Sequence, residues 1–262
     1  MRPNKLRQLL AGGKPTLGTH IHSTWPSVIE AVGHAHSYDY VEFVAEYAPY
    51  TLHDLDNMAR AAELHDLGLM IKLDQDGQQV IAQHAIGSGC QAVLFVDLRT
   101  AEDVRSCVRA VRPETPEDGG RHGVATRRMT YMGYGGGRDY VQSLRDVVVA
   151  IMIEKREAVE NLDEILAVPG IDMVQWGPSD YSMSTGHAGE RGHSDVRAAE
   201  KKVFETCLKV GIPPRAEIAT PDDAQRFLDM GVRHFCMNTD ISILFSWWRS
   251  NGETLRGLMD HS

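Results

Sequence analysis

Short β-type runs and amphipathic helical stretches alternate along the whole 262-residue chain. The runs are Thr16–Ile21, Tyr40–Ala45, Leu69–Leu73, Ala92–Val96, Val147–Ile153, Ile171–Trp176, Pro213–Ile218 and Arg233–Met237. Several, such as VVVAIMI and AVLFV, are apolar at almost every position, as suits strands covered on both faces of a parallel sheet. Helical spacing fills the gaps over Leu52–Leu64, Gln78–Ser88, Ala101–Val111, Ala158–Leu166, Val196–Val210 and Pro221–Met230. Thr100, Asp163 and Thr220 are expected near helix starts, with Pro221 in a first turn. Gly87, Gly211 and Gly231 are expected to close helices. Eight strands with intervening helices in about 250 residues predict a (β/α)8 TIM barrel spanning 1–262 as a single domain. The competing doubly wound sheet lacks support: no GxGxxG follows the first strand, and Gly135-Gly136-Gly137 stands in a loop.

Composition narrows the functional classes. With 27 basic against 36 acidic residues, the net charge is −9, which argues against a general nucleic-acid or anionic-membrane binder. A chain that is 42% hydrophobic and 24% charged is not globally disordered. Cys90, Cys107, Cys207 and Cys236 form no CxxC and read as core residues of a reducing compartment. The N-terminal stretch has no apolar signal core, and no run of about 18 apolar residues occurs. The expected location is the cytoplasm.

Two segments end an apolar strand at a carboxylate: Ala150-Ile-Met-Ile-Glu154 and Trp176-Gly-Pro-Ser-Asp180. Strand-terminal carboxylates of a parallel barrel face the mouth, where chemistry takes place. On adjacent strands, Glu154 and Asp180 would suit Mg²⁺ or Mn²⁺, with water and substrate oxygens completing the shell. The alternative is structural, with Glu154 capping a helix and Asp180 bracing a turn. Pro113–Gly137 is the longest irregular stretch. Its Arg121, Arg127 and Arg128 either meet an anionic substrate or are solvated surface charge.

These segments resemble the metal-binding signatures of the class II pyruvate-dependent aldolases, the 4-hydroxy-2-oxoheptanedioate and 2-keto-3-deoxy-sugar-acid aldolase family. That family belongs to the phosphoenolpyruvate/pyruvate superfamily. The similarity runs from about Lys5 to Trp248 and includes Leu17-Gly18, Tyr38-Asp39-Tyr40, Glu46-Tyr47-Ala48-Pro49, Arg121-His122-Gly123, Ile153-Glu154, Glu157-Ala158, Asn161-Leu162 and Gly177-Pro178-Ser179-Asp180. The resemblance implies a divalent metal on Glu154 and Asp180. It implies a pyruvate-type carboxylate held at Ser179 and Asp180, with Arg121 among the substrate-binding residues. It also implies a 2-oxo acid and an aldehyde as small-molecule partners, and a homo-oligomer, either a hexamer or a trimer of dimers.

The departures from the family pattern are equally informative. Family members carry Asp-Gly-Glu-His-Ala-Pro after the second strand; here Val44 replaces the aspartate and Tyr47 the acid/base histidine. Lys72 stands where an arginine faces the enolate oxygen, and Met152 replaces a glutamine. Tyr47 would serve as an acid if a nearby cation lowered its pKa. His20 and His22, two residues apart after the first strand, share one face and offer replacements. A His-x-His here also suits metal-dependent amidohydrolases, but no further histidine ligands follow the later strands. Glu42 and Glu46 share parity with Val44, so either supplies a displaced carboxylate, or Glu42 pairs with Lys72 inside the barrel. His122 is expected at the surface. A C-terminal helix over about 241–258, carrying Trp247 and Trp248, is too apolar for free solvation and is expected to pack in an oligomer or on the barrel's outside. The expected activity is metal-dependent carbon–carbon lysis, with other enolate chemistry or a silent oxo-acid-binding barrel as the rivals.

Overall fold

Parallel pairing joins β1 (Thr16–Ile21), β2 (Tyr40–Val44), β3 (Gly68–Lys72), β4 (Ala92–Phe95), β5 (Val148–Ile153), β6 (Met173–Trp176), β7 (Pro214–Ile218) and β8 (His234–Thr239) in chain order. Strand β8 pairs back onto β1, so the sheet closes into the expected eight-stranded barrel. The computed structural model describes residues 2–74, 76–124 and 136–260. Most expected strand ends hold to within a residue; β6 begins two residues later, and β8 ends two later.

Strand periodicity divides the side chains into two cores. Val149, Ile151 and Ile153 face outward with Val41, Phe43, Ile71 and Val174 into the layer beneath the helices. Val148, Ala150 and Met152 face inward with Tyr40, Met70, Leu94 and Met173. Leu6 of α1 (Lys5–Ala11) joins this inner core and plugs the barrel opposite the mouth. The inward parity carries polar groups as well: Glu42, Lys72, Gln175 and Arg215 are all buried.

The outer helices are α2 (Pro26–His34), α3 (Leu52–Leu64), α4 (Gln78–Ser88), α5 (Ala101–Val111), α6 (Arg138–Arg145), α7 (Arg156–Glu160), α8 (Leu162–Leu166), α9 (Pro178–Ser184), α10 (Ser194–Val210) and α11 (Gln225–Asp229). Helices α1, α2, α6 and α9 had no counterpart in the apolar periodicity. Thr100 and Thr220 stand at helix starts as expected, and each makes a capping box with an aspartate three residues on. One terminus expectation fails: Gly87 lies inside α4, which Gly89 caps. Asp163 stands in the first turn of α8, near a helix start as expected, with Asn161 as the N-cap. All four cysteines are buried.

The last helix, α12 (Asp240–Asp260), buries only Asp240, while Ile241, Phe245, Trp247, Trp248, Leu255 and Leu258 are exposed. An apolar groove on the barrel wall, lined by Ile21, Trp25, Val28, Val32, Ile241 and Leu244, lies beside its first turn. No helix among the described residues is long and apolar enough to cross a membrane.

Candidate active site

Glu154 directly follows β5 and continues the inward parity of Ala150 and Met152, which brings its carboxylate to the mouth at 2% exposure. Its Oε1 accepts the backbone N–H of Asp97 at 2.8 Å. Asp97, just past β4, takes a left-handed backbone with φ of 56°. Non-glycine residues adopt that conformation at some cost and often at functional sites. Asp180 comes from the first turn of α9, and its Oδ1 lies 2.9 Å from Lys155 Nζ, which also contacts the Asp97 carboxylate. Two of the three carboxylates, Asp97 and Asp180, thus share one contacting ammonium, and Glu154 has none in contact. Burial pushes the Glu154 pKa up to about 7; the Asp97 amide and Lys72 oppose the rise, and the charges of Asp180 and Asp97 add to it.

Gly177 lets the chain after β6 pack closely against Glu154. A Cβ there would stand 2.7 Å from Glu154 Oε2 and 2.5 Å from its Cβ. Hard, oxygen-only donors carrying more negative than positive charge fit a divalent cation of the Mg²⁺ or Mn²⁺ type. Ser179 precedes Asp180 and is exposed, and its carbonyl accepts from Ser182 Oγ at 2.7 Å.

Across the mouth, Lys72 at the end of β3 pairs with Glu46 at 2.6 Å. Burial opposes the Lys72 charge, but Glu46 more than restores it and holds the ammonium protonated. Tyr47 is 63% exposed, with its ring centroid 5.0 Å from Lys72 Nζ. The idea that a cation lowers the Tyr47 pKa fails. Desolvation raises it to about 12, and Glu46 adds to the rise against Lys72. Glu46 neutralises the very cation that was to activate the phenol.

Glu42 is not the partner of Lys72 either. It is fully buried against Arg215 of β7, and His20 Nε2 lies 3.3 Å from its Oε1. The same His20 nitrogen is 3.4 Å from Glu217 Oε1, and Arg215 Nη1 donates to Tyr40 Oη at 3.1 Å. Burial works against a charge on His20, but Cys236, Glu42 and Glu217 around it raise its pKa well above the usual imidazole value. We attribute that rise to the two carboxylates. Burial would drive Glu42 up, but Arg215 and His20 hold it far below the usual carboxylate range.

His22 behaves differently. Burial lowers its pKa, with His20 and Lys72 adding to the drop against Asp240. Its Nδ1 lies 2.9 Å from Thr239 Oγ1, its backbone N–H donates to Asp240 Oδ1, and its ring is 6.5 Å from that of Tyr47. The His-x-His pair therefore holds one cationic and one neutral imidazole.

Two expected groups lie elsewhere. The Arg121 N–H donates to Arg109 in the last turn of α5, and its carbonyl accepts from Gln83 of α4. Helix α5 descends away from the mouth, so exposed Arg121 sits on the outer wall, not at the substrate. His122 is buried rather than superficial, and burial lowers its pKa to about 4. Arg127, Arg128 and Gly135 fall outside the described residues. The sequence reading missed Asp97, Lys155, Arg215 and Glu217. Asp97 was discoverable, since Ala92–Val96 ends in a carboxylate just as the Glu154 strand does.

Residues 17–242 match the HpcH/HpaI aldolase/citrate lyase family. The chain belongs to this family. It is 29% identical over 231 residues to a 2-dehydro-3,6-dideoxy-6-sulfogluconate aldolase of Pseudomonas putida, covering 88% of each chain. It is 26% identical to a hydroxypyruvate/pyruvate aldolase of Paraburkholderia phytofirmans, over 91% of this chain and 92% of the other. An HpcH/HpaI aldolase/citrate lyase family structure from Burkholderia cenocepacia superposes with a TM-score of 0.87 at 27% identity, covering 97% of this chain and all 100% of that one. The barrel of this chain is therefore the HpcH/HpaI barrel, and Glu154 and Asp180 lie at its mouth.

Proposed function

We propose that this HpcH/HpaI family protein is a divalent-metal-dependent carbon–carbon lyase of the aldolase type. It would cleave a 2-oxo acid bearing a hydroxyl on its fourth carbon into a pyruvate enolate and an aldehyde. The observation that carries the reading is the cluster of Glu154, Asp97 and Asp180 at the mouth, in which Lys155 contacts only the two aspartates and Gly177 lets the chain approach Glu154 closely. The activities named for the two aldolase relatives agree with it.

Glu154 and Asp180 would hold the Mg²⁺ or Mn²⁺ ion, which would supply Lewis-acid polarisation to a bound 2-oxo acid. The protein's own groups account for the remaining charge and proton movements. Neutral His22 accepts the hydroxyl proton as the bond between the third and fourth carbons breaks, and the bonding pair passes into the enolate. Lys72 faces that developing negative charge as a fixed cation, without the two-pronged fork of an arginine. His22 then returns its proton to the third carbon, giving pyruvate. His20 cannot act as the base while its two carboxylates keep it protonated. Glu46 is occupied by Lys72 and maintains that cation's charge.

The test is calorimetric titration of Mn²⁺ into wild type, Glu154→Gln and Asp180→Asn, paired with deuterium exchange into the methyl group of pyruvate. Wild type should bind Mn²⁺ and exchange, and both variants should lose both properties. Mn²⁺ binding without exchange in wild type would favour a silent oxo-acid-binding barrel.

The bare apolar surface of α12 supports a homo-oligomer. We infer that α12 of one copy covers the groove beside α2 of a second copy. Sedimentation should then show the wild type as an oligomer and Trp247→Glu/Trp248→Glu as a smaller species; an unchanged mass for the double variant would remove this contact.

A further inference from the structure

Between α9 and α10 the chain reads His187-Ala-Gly-Glu190-Arg-Gly-His193-Ser-Asp195. Two successive turns form here: the Glu190 N–H donates to the His187 carbonyl and the His193 N–H to the Glu190 carbonyl, both at 2.9 Å. Three residues per turn place positions i, i+3 and i+6 in one row. Gly186 and Gly189, with φ of 85° and 82°, make the left-handed bends that fold the loop back on itself.

The His187 and His193 rings therefore stack, with centroids 3.6 Å apart and planes 20° from parallel. One nitrogen from each ring and a carboxylate oxygen of Glu190 all lie within 4.8 Å of one another. Glu190 Oε2 is 3.9 Å from His187 Nδ1, while Asp195 Oδ2 is 3.7 Å from the opposite nitrogen, Nε2. His193 Nδ1 accepts the Asp195 backbone N–H at 3.3 Å, which leaves its Nε2 as the free donor atom.

We propose that His187, Glu190 and His193 form a second metal site, separate from the mouth carboxylates, for a transition-metal ion such as Zn²⁺ or Ni²⁺. Two imidazoles and one carboxylate suit Zn²⁺, Ni²⁺, Co²⁺ and Cu²⁺ and discriminate against the oxygen-seeking Mg²⁺. Asp195 faces the far nitrogen of His187, the placement by which an outer carboxylate orients a ligating imidazole. Remaining coordination positions open to water. The loop is tied back to the active-site helix, because the His187 N–H donates to the Ser182 carbonyl of α9 at 2.7 Å. An ion here would clamp the segment that leaves the helix carrying Asp180.

The test uses the full chain in excess Mg²⁺, titrated with Zn²⁺ by calorimetry. Wild type and Glu154→Gln should each bind one Zn²⁺ at this loop. His187→Gln/His193→Gln should bind it at least tenfold more weakly, and Glu190→Gln should fall between. Co²⁺ loaded into Glu154→Gln should give a visible spectrum that the added double histidine change abolishes. Equal Zn²⁺ binding by wild type and the double histidine variant would overturn the proposal, as would loss of all Zn²⁺ binding in Glu154→Gln. Because Glu154→Gln keeps the loop and disables the mouth, failure of the lyase reading leaves this result interpretable.

Discussion

Two groups of acids occupy the upper barrel of this HpcH/HpaI family protein, and they are balanced in opposite ways. Around β1, β2 and β7, Glu42 is enclosed by Arg215 and His20, and its pKa is driven down. At the ends of β4, β5 and β6, Glu154 is also buried, but burial drives its pKa up to about 7, and Lys155 contacts Asp97 and Asp180 rather than Glu154. A buried carboxylate with its counter-ion already supplied is closed to an external cation. One left short of positive charge has the capacity to take one. On the proposed function, the first cluster is structural support and the second is the cation's receptor.

The largest effect should come from breaking the closed cluster. Arg215→Met leaves buried Glu42 with His20 as its one remaining described counter-ion, which should destabilise the protein by about 3–5 kcal/mol. Adding Glu42→Gln should recover much of that loss, because no uncompensated charge then remains. Denaturant unfolding of the two variants measures both. A double variant no more stable than Arg215→Met would mean that Glu42 does not depend on Arg215 in the way its burial implies.

The open cluster predicts the next effect, through pH. A free glutamate titrates near 4.5, and Glu154 in the fold titrates at about 7. Below 4.5 both folded and unfolded chains hold the proton, and burial carries no charge penalty. As pH rises, the unfolded chain loses its proton first, so the native state binds more protons and stability falls until about pH 7. The loss from this one group is about 3 kcal/mol. In chelator, wild type should therefore lose stability relative to Glu154→Gln across that window. A constant difference between the two proteins would contradict the pKa assignment.

How far the sequence discloses these clusters depends on distance along the chain. Glu154 was legible because strand parity runs unbroken from Val148 through Met152 to the mouth, and Asp180 because it closes the turn after β6. The partner of Glu42 was not, since Arg215 lies 173 positions away and inward residues meet only when the barrel closes. His122 was misplaced for a related reason. It is buried through a bridge to Pro113 within an irregular segment that has no periodicity to read. The apolar stripe of α12 was visible, but its projection away from the barrel follows from tertiary structure alone.

Lys155 offers a finer test of the contrast, because it partly fills the open cluster. Its ammonium contacts Asp97 and Asp180, so it repels an arriving divalent cation or must give up a partner to it. Lys155→Met should raise Mn²⁺ affinity about tenfold, equivalent to about 1.4 kcal/mol. Lys155→Arg keeps the charge and should bind Mn²⁺ as wild type does. If both variants bind alike, the lysine acts through packing, and the charge shortage at Glu154 is not what limits metal binding.

The smallest effect belongs to Tyr47, which lies beside both systems and is committed to neither. Its phenol is mostly exposed, its pKa is raised to about 12, and Lys72 beneath it is already paired with Glu46. A group so far from neutrality transfers protons poorly near pH 7, whereas a positioned acid or base with a matched pKa contributes about a hundred- to ten-thousand-fold. Tyr47→Phe retains the ring over Lys72 and removes only the hydroxyl, so turnover of a 2-oxo acid should stay within about threefold of wild type. His22→Asn, which removes the neutral imidazole 6.5 Å away, should lower the rate at least about a hundredfold with Mn²⁺ binding retained. The reverse outcome, a collapse in Tyr47→Phe beside an active His22→Asn, would transfer the proton to the phenol. The raised pKa would then have to fall when substrate enters, and the Lys72–Glu46 pair would have to open to let it.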